Sequence, residues 1–455
     1  MTAEPIRLHP QNPHYFLWRD KPTVLIGSGE HYGAVLNLDF DYTKYLDTLR
    51  GDGLNQTRLF SGTYREVSGN FDIVNNTLAP APGRFVCPWA RSNVPGYANG
   101  GNKFDLTEWD DAYFIRLKDF VRYAGEQGVV VEFVLFTPLY SDSMWDVSPM
   151  NAENNINGIG AVPKDESLTL KHADLLAAQE AVTRKIVQEL NGFDNVYFEI
   201  CNEPYAGRVP SDWQARIART IAETGKSLPN RHLIAQNIDN GAVRIENPDP
   251  LISVFNFHYA SPPDAVTLNY DLSKPIAHDE TGFKGNDDAV YRKEAWQFLL
   301  NGGSVFSHLD YSFTVGSENG DRPIPAQTPG GGGKEFRRQM RVLKDFIESF
   351  DFVRMEPSRE SIKADGATAY ALSEAGENYA VYLHGETRTV ALDLPAGTFR
   401  ATWVNVLQGN VEKNEDFAHG GGERTLAVPV YEQDIALKIQ SLPDLTPAAS
   451  AARGQ

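Results

Sequence analysis

Two rhythms of apolar and polar positions run along this chain. Short apolar runs recur, and stretches with apolar residues at helical spacing separate them. Tyr15-Phe-Leu-Trp18 and Thr23-Val-Leu-Ile26, joined by Arg19-Asp-Lys21, predict a hairpin over 14–27. Its second arm doubles as a first strand ending at Gly27-Ser-Gly-Glu-His-Tyr-Gly33. A short helix is expected over Asp41 to Gly51, then a strand at Leu54–Phe60. Residues 61–106 read as a long loop rich in Gly, Pro, Asn and aromatics, a length uncommon unless functional. Thr107 is the expected cap of a helix to about Gln127, with Phe114, Leu117, Phe120 and Val121 on one face.

The alternation continues. Val129–Phe136 reads as a buried strand, 137–167 as another long loop, and 168–191 as a helix. Asn195-Val-Tyr-Phe-Glu-Ile-Cys-Asn-Glu-Pro204 is a fourth strand, stopped by a proline that cannot continue a ladder. Strands follow at His232–Gln236, Ile252–His258, Lys274–Glu280 and Ser304–Asp310, with helices over 211–227 and 287–301. A last helix is expected from Lys334 to Ser349. Eight strands alternating with helices predict an α/β fold, a (β/α)8 TIM barrel over 1–351 carrying an N-terminal hairpin. The rhythm changes near Phe352. Short runs such as Thr368–Leu372, Asn378–Leu383, Val390–Leu392, Phe399–Trp403 and Asp434–Lys438, punctuated by turn glycines, predict an antiparallel β-sandwich over 352–442. Residues 443–455 read as a disordered tail.

Composition narrows the functional classes. The 455 residues suffice for one barrel and a smaller domain, with 41% hydrophobic and 22% charged residues, an ordinary globular mix. A net charge of −18 argues against nucleic acid and anionic membrane surfaces as partners. No apolar run is long enough to span a bilayer. The first twenty residues lack a signal-peptide core, so the expectation is a cytoplasmic protein, or a secreted or periplasmic one whose signal was removed before this numbering. Cys87 and Cys201 are the only cysteines, which excludes a disulfide framework. Oligomeric state is not legible.

The candidate chemistry sits at two strand ends. The fourth strand finishes in Asn202-Glu203-Pro204 and the seventh in Glu280, three strand–helix repeats later. In a parallel barrel the carboxyl ends of the strands carry the active site. Two carboxyls facing one barrel mouth are what glycosidic hydrolysis needs, one to protonate the leaving oxygen and one to attack the anomeric carbon.

On Asn202-Glu203-Pro204, Glu280 and the strand order, the chain resembles clan A of the glycoside hydrolases, retaining (β/α)8-barrel enzymes, over about residues 14–350. The resemblance implies Glu203 as general acid/base and Glu280 as nucleophile in the cleavage of a β-linked oligo- or polysaccharide, with no metal or other cofactor. It implies that Asn202 bonds the sugar 2-hydroxyl and that Arg58 pairs with the nucleophile. His258-Tyr259 resembles the clan's His/Tyr pair beside the nucleophile, although many members space that pair by one residue. Many members also place a tryptophan after the eighth strand as the floor of the sugar site. Here Leu309-Asp310-Tyr311 stands there, so Tyr311, or Trp145 or Trp89 from the long loops, is expected to supply the stacking surface. Glu30 and His31 at the end of the first strand are expected to contact sugar hydroxyls.

Three other classes compete. A metal-dependent barrel hydrolase usually shows a His-any-His pair after its first strand; Glu30-His31-Tyr32 lacks it, while His258, His278 and His308 lie near strand ends. A non-catalytic carbohydrate-binding barrel would not need both glutamates. A phosphate-binding barrel enzyme finds no support, because Gly330–Gly333 lack a following Lys-Ser or Lys-Thr.

Overall fold

A computed structural model describes residues 4–443, and the tail expected over 443–455 lies, except for its first residue, outside them. The chain divides into two compact units, Met1–Lys344 and Asp345–Gln455.

The first unit holds eight parallel strands: β1 (Leu25–Gly29), β2 (Gln56–Phe60), β3 (Val130–Phe136), β4 (Val196–Cys201), β5 (Ile234–Asn240), β6 (Val254–His258), β7 (Ile276–Glu280) and β8 (Val305–Leu309). Strands β2 to β8 pair consecutively in sequence, and β8 pairs with β1. Asn55 completes the ring between β1 and β2. Its backbone N–H bonds the Ile26 carbonyl at 3.2 Å, and its side chain bridges Ile26 N–H and the Val24 carbonyl, each at 2.8 Å. Seven of these strands are buried along their whole length, as strands covered on both faces must be.

Besides one short helical turn at Asp142–Asp146, six helices connect or follow the strands among the described residues: α1 (Tyr42–Gly51), α2 (Asp111–Glu126), α3 (Ala173–Leu190), α4 (Ser211–Lys226), α5 (Asp264–Asn269) and α6 (Asp288–Leu299). A seventh, α7 (Lys334–Glu348), follows β8. Several starts are fixed by aspartates whose carboxylates accept the free N–H groups of the first turn, as Asp41 does for Thr43 and Lys44. The start of α2 differs from expectation: Asp110, not Thr107, is its cap, accepting from Ala112 and Tyr113. Thr107 belongs to a hairpin strand instead. The segment 61–106, expected as loop, contains the first arm of that antiparallel hairpin, Trp89–Pro95 paired with Asn102–Trp109. Its turn is made by Gly96, Gly100 and Gly101, all at positive φ that other residues resist.

The barrel interior is layered. At the amino-terminal end, inward residues Leu25, Val130, Tyr197, Ala235, Val254, Ala277 and Val305 form an apolar layer. Ile6, Phe16 and Trp18 pack against it from a three-stranded antiparallel sheet (Arg7–Leu8, Phe16–Trp18, Lys21–Thr23). Because side chains alternate along a strand, the next inward positions are Arg58, Glu132, Glu199, Asn256 and Asp279. These are all buried. The following positions reach the strand ends.

The second unit is an antiparallel sheet of seven strands: β9 (Glu356–Pro357), β10 (Ile362–Lys363), β11 (Ala367–Glu374), β12 (Asn378–Gly385), β13 (Thr389–Val404), β14 (Val411–Ala427) and β15 (Asp434–Leu442). The runs at Val390–Leu392 and Phe399–Trp403 are two halves of β13. Its first half pairs with β10 and its second with β15, while β14 follows it throughout. One core of the sheet includes Ile362, Val381, Leu392, Phe399, Trp403 and Leu437.

Candidate active site

The carboxyl ends of the barrel strands surround a cavity of about 390 Å3. Glu203 and Glu280 both line it, with Asn202, Tyr259 and His31. Glu203 follows β4 in a left-handed conformation (φ 39°). Its backbone N–H is held by Asn237 Oδ1 of β5 at 2.9 Å. That bond fixes a conformation that a non-glycine residue adopts only when its surroundings require it. The Glu203 carboxylate accepts from Tyr140 Oη at 2.7 Å and Tyr205 Oη at 3.1 Å.

Glu280 ends β7 and is surrounded by donors. Tyr32 Oη donates to its Oε2 at 2.8 Å, Arg58 Nη1 donates to the same oxygen at 3.2 Å, and Tyr259 Oη donates to Oε1 at 2.7 Å. Burial by itself disfavours the carboxylate, but the charges of His258 and Arg58 and the tyrosine bond override it and hold Glu280 far below the usual carboxylate range. Glu280 is therefore ionised.

His258 joins the two glutamates. Its Nδ1 lies 3.1 Å from Glu203 Oε1 and 3.5 Å from Glu280 Oε1, and its Nε2 lies 3.5 Å from Asp279 Oδ1. Burial favours the neutral ring, yet Glu280, Glu203 and Asp279 together push its pKa up to about 10. The ring is an imidazolium at neutral pH. One oxygen of each glutamate and a nitrogen of His258 all lie within 4.8 Å of one another.

Arg58 is fully buried below the cavity floor. Besides Glu280 it donates to Glu199 at 2.6 Å and to Asn202 Oδ1 at 3.0 Å, and its guanidinium lies 4.7 Å from the centre of the Tyr32 ring. It is the counter-cation of Glu132, Glu199 and Asp279, whose carboxylate oxygens lie within 4.8 Å of one another. Burial and Asp279 push Glu132 well above the usual carboxylate range, so this layer retains a proton.

These are the two groups of potential metal donors among the described residues. In the first, the surrounding carboxylates favour the protonated ring of His258; in the second, Arg58 already supplies positive charge. His278 and His308 belong to neither group. They pack against Phe298 and Phe306, and against Tyr291 and Phe336, and burial lowers them to about 3 and about 4, so both are neutral.

The remaining expected site residues are more dispersed. His31 lines the cavity, but Glu30 faces away: its carboxylate caps Gly33 N–H at 3.0 Å and Ala34 N–H at 3.1 Å and binds the Thr77 hydroxyl. Tyr311, Trp145 and Trp89 are buried outside the cavity lining, and Trp145 Nε1 donates to the Val162 carbonyl at 3.2 Å. The aromatic lining comes instead from Tyr32, Phe60, Tyr64, Phe71, Tyr140 and Phe283. Sequence reading missed most of these because they sit in the loops after β1, β2, β3 and β7, where no periodicity marks them. Glu66 and Lys284 were missed for the same reason. Tyr140 and Tyr32 carried a weak signal, as aromatics close behind strand ends.

No family model and no curated protein sequence matches the chain. Its fold does match solved structures. A candidate glycoside hydrolase from Bacteroides vulgatus ATCC 8482 superposes with a TM-score of 0.70 over 97% of this chain and 83% of that one, at 16% identity. A glycoside hydrolase family 5 structure from the same organism gives 0.63 over 96% and 92%, at 13% identity. The endo-β-1,4-mannanase from Thermotoga petrophila gives 0.50 over 88% and 93%, at 14% identity. At these identities the likeness is one of fold.

Proposed function

We propose that this chain, which has the fold of glycoside hydrolase family 5 structures, is a retaining glycosidase acting on a β-linked oligo- or polysaccharide. One observation carries the reading. Two strand-end carboxyls lie within 4.8 Å of each other in one cavity, and one of them is held ionised. Retaining enzymes place these groups about 5–5.5 Å apart, whereas inverting enzymes need about 6.5–9.5 Å to admit a water.

In the first step an oxygen of Glu280 attacks the anomeric carbon. The bond from that carbon to the leaving oxygen breaks, and Glu203 gives its proton to the departing oxygen. The sugar is then esterified to Glu280, and Glu203 is a carboxylate. In the second step Glu203 takes a proton from water, the water oxygen attacks the anomeric carbon, and the ester bond returns its electron pair to Glu280. Two inversions leave the β configuration retained. Arg58, His258, Tyr32 and Tyr259 keep the nucleophile charged and oriented. Tyr140 and Tyr205 orient Glu203. Asn202, whose Oδ1 is occupied by Arg58, has its amide group beside Tyr140 at 3.0 Å, available to the sugar 2-hydroxyl.

The test is hydrolysis of a panel of aryl β-glycosides and β-linked polysaccharides, with and without chelator. Chelator-resistant release supports the reading. Chelator-sensitive release supports a metal hydrolase instead. Sugar binding without release supports a non-catalytic barrel.

A further inference from the structure

We propose that the cavity is a blind pocket for the terminal, non-reducing sugar of a chain, and that Glu66 recognises that sugar's hydroxyls farthest from the anomeric carbon. This deepens the glycosidase reading and rests on it.

The two ends of the cavity differ. At one end Tyr64, Glu66, Leu78 and Phe60 are each no more than 3% exposed. At the other, Phe71 and Phe283 are 39% and 45% exposed, and Asn240 is exposed. Their rings approach edge to face at 6.4 Å, one from the loop after β2 and one from the loop after β7. The cavity therefore has a mouth and a floor.

The position of the two glutamates orients a sugar between them. Tyr205 Oη bonds both Glu203 and Asn240, which puts the proton donor on the side of the mouth. The leaving group departs through that side. Glu280 is tied to the mouth by Tyr259, whose ring meets Phe283 at 6.1 Å, and it also connects toward the floor: Tyr32 bonds it, the His31 ring stacks on Tyr32 at 5.5 Å, and His31 Nε2 lies 3.2 Å from Glu66 Oε1. The glycone thus points toward Glu66.

Glu66 is built to meet it. It is anchored by its N–H to the Leu78 carbonyl at 2.8 Å. Its carboxylate is engaged by His31, by Tyr64 Oη at 3.0 Å and by Asn76. A carboxylate offers about four acceptor positions, so these three partners leave room for a ligand hydroxyl. Nothing in the double displacement uses this third carboxylate. Leu78 and Tyr64, both buried, line the cavity beside it, and Asn76 bonds its carboxylate.

The experiment uses β-linked gluco-, galacto- and manno-hexasaccharides labelled at the reducing end, their counterparts capped by a 4,6-O-benzylidene group on the non-reducing sugar, and the matching aryl β-glycosides. Wild-type protein should shorten the labelled chain one sugar at a time and leave the capped chain intact. Glu66→Gln should raise KM for the aryl glycoside by roughly tenfold or more with a smaller change in kcat, the signature of a lost ground-state contact. Internal cleavage of the labelled chain, or equal cleavage of capped and free chains, would overturn the blind pocket while leaving the glycosidase reading intact. An unchanged KM in Glu66→Gln would overturn the role of Glu66. No hydrolysis of any substrate by wild-type protein would overturn both the pocket and the reading beneath it.

Discussion

His258 Nδ1 lies 3.1 Å from Glu203 Oε1, and the same nitrogen lies 3.5 Å from Glu280. One imidazolium thus bridges the two carboxyls, whose oxygens lie within 4.8 Å of each other, and its positive charge favours the ionised form of Glu280. The charge comes from strand register: β6 ends in His258 beside the end of β7.

This pairing gives stability a pH dependence. The folded pKa of His258 is raised to about 10 from 6.5. Its contribution is fully present below 6.5 and is lost as pH rises from there through about 10. Urea unfolding across that window should show wild-type protein losing more stability than His258→Asn. Parallel pH profiles for the two would contradict the pairing.

Arg58→Ala should be costly twice over. It leaves Glu199, Glu132 and Asp279 buried without their cation, which costs about 3–5 kcal/mol when one partner of a buried pair is removed. It also frees Asn202 and removes a charge from Glu280, so surviving folded protein should turn over poorly. Denaturant unfolding and kcat measured on the same preparation separate the two effects. A stable, active variant would show that the guanidinium is dispensable.

Tyr259→Phe removes the 2.7 Å bond to Glu280 Oε1 and little else. A hydrogen bond to a charged group contributes about 1.5–3 kcal/mol, so kcat should fall roughly tenfold or more while the unfolding midpoint moves little. Unaltered kcat would remove Tyr259 from the account.

The barrel was legible because its strands are buried on both faces and read as unbroken apolar runs, as at Val129–Phe136. The two glutamates were legible because each ends such a run. The polar layer beneath them was overlooked, although its signal was present: Glu132, Glu199 and Asp279 are charges inside strands. Each needs a partner, and that partner, Arg58, comes from a strand distant in sequence. The strand β14 was missed for the opposite reason. Both of its faces are largely exposed, so Val411–Ala427 carries no apolar alternation. Glu30 shows the limit of proximity as evidence. It stands next to a cavity residue, but its carboxylate caps the turn at Gly33 and Ala34. Tyr311 could not be judged without the loop after β2, whose Phe71 lines the cavity while Tyr311 is buried outside its lining.

The division of roles between Glu203 and Glu280 is the central claim, and azide tests it most directly. With an aryl β-glycoside bearing a good leaving group, Glu203→Ala should retain some turnover. Azide should accelerate it by attacking the glycosyl-enzyme, giving a β-glycosyl azide. Glu280→Ala should lose turnover, and azide should yield no product of retained configuration. Equal, unrescued loss in both variants, or a β-glycosyl azide from Glu280→Ala, would contradict the assignment.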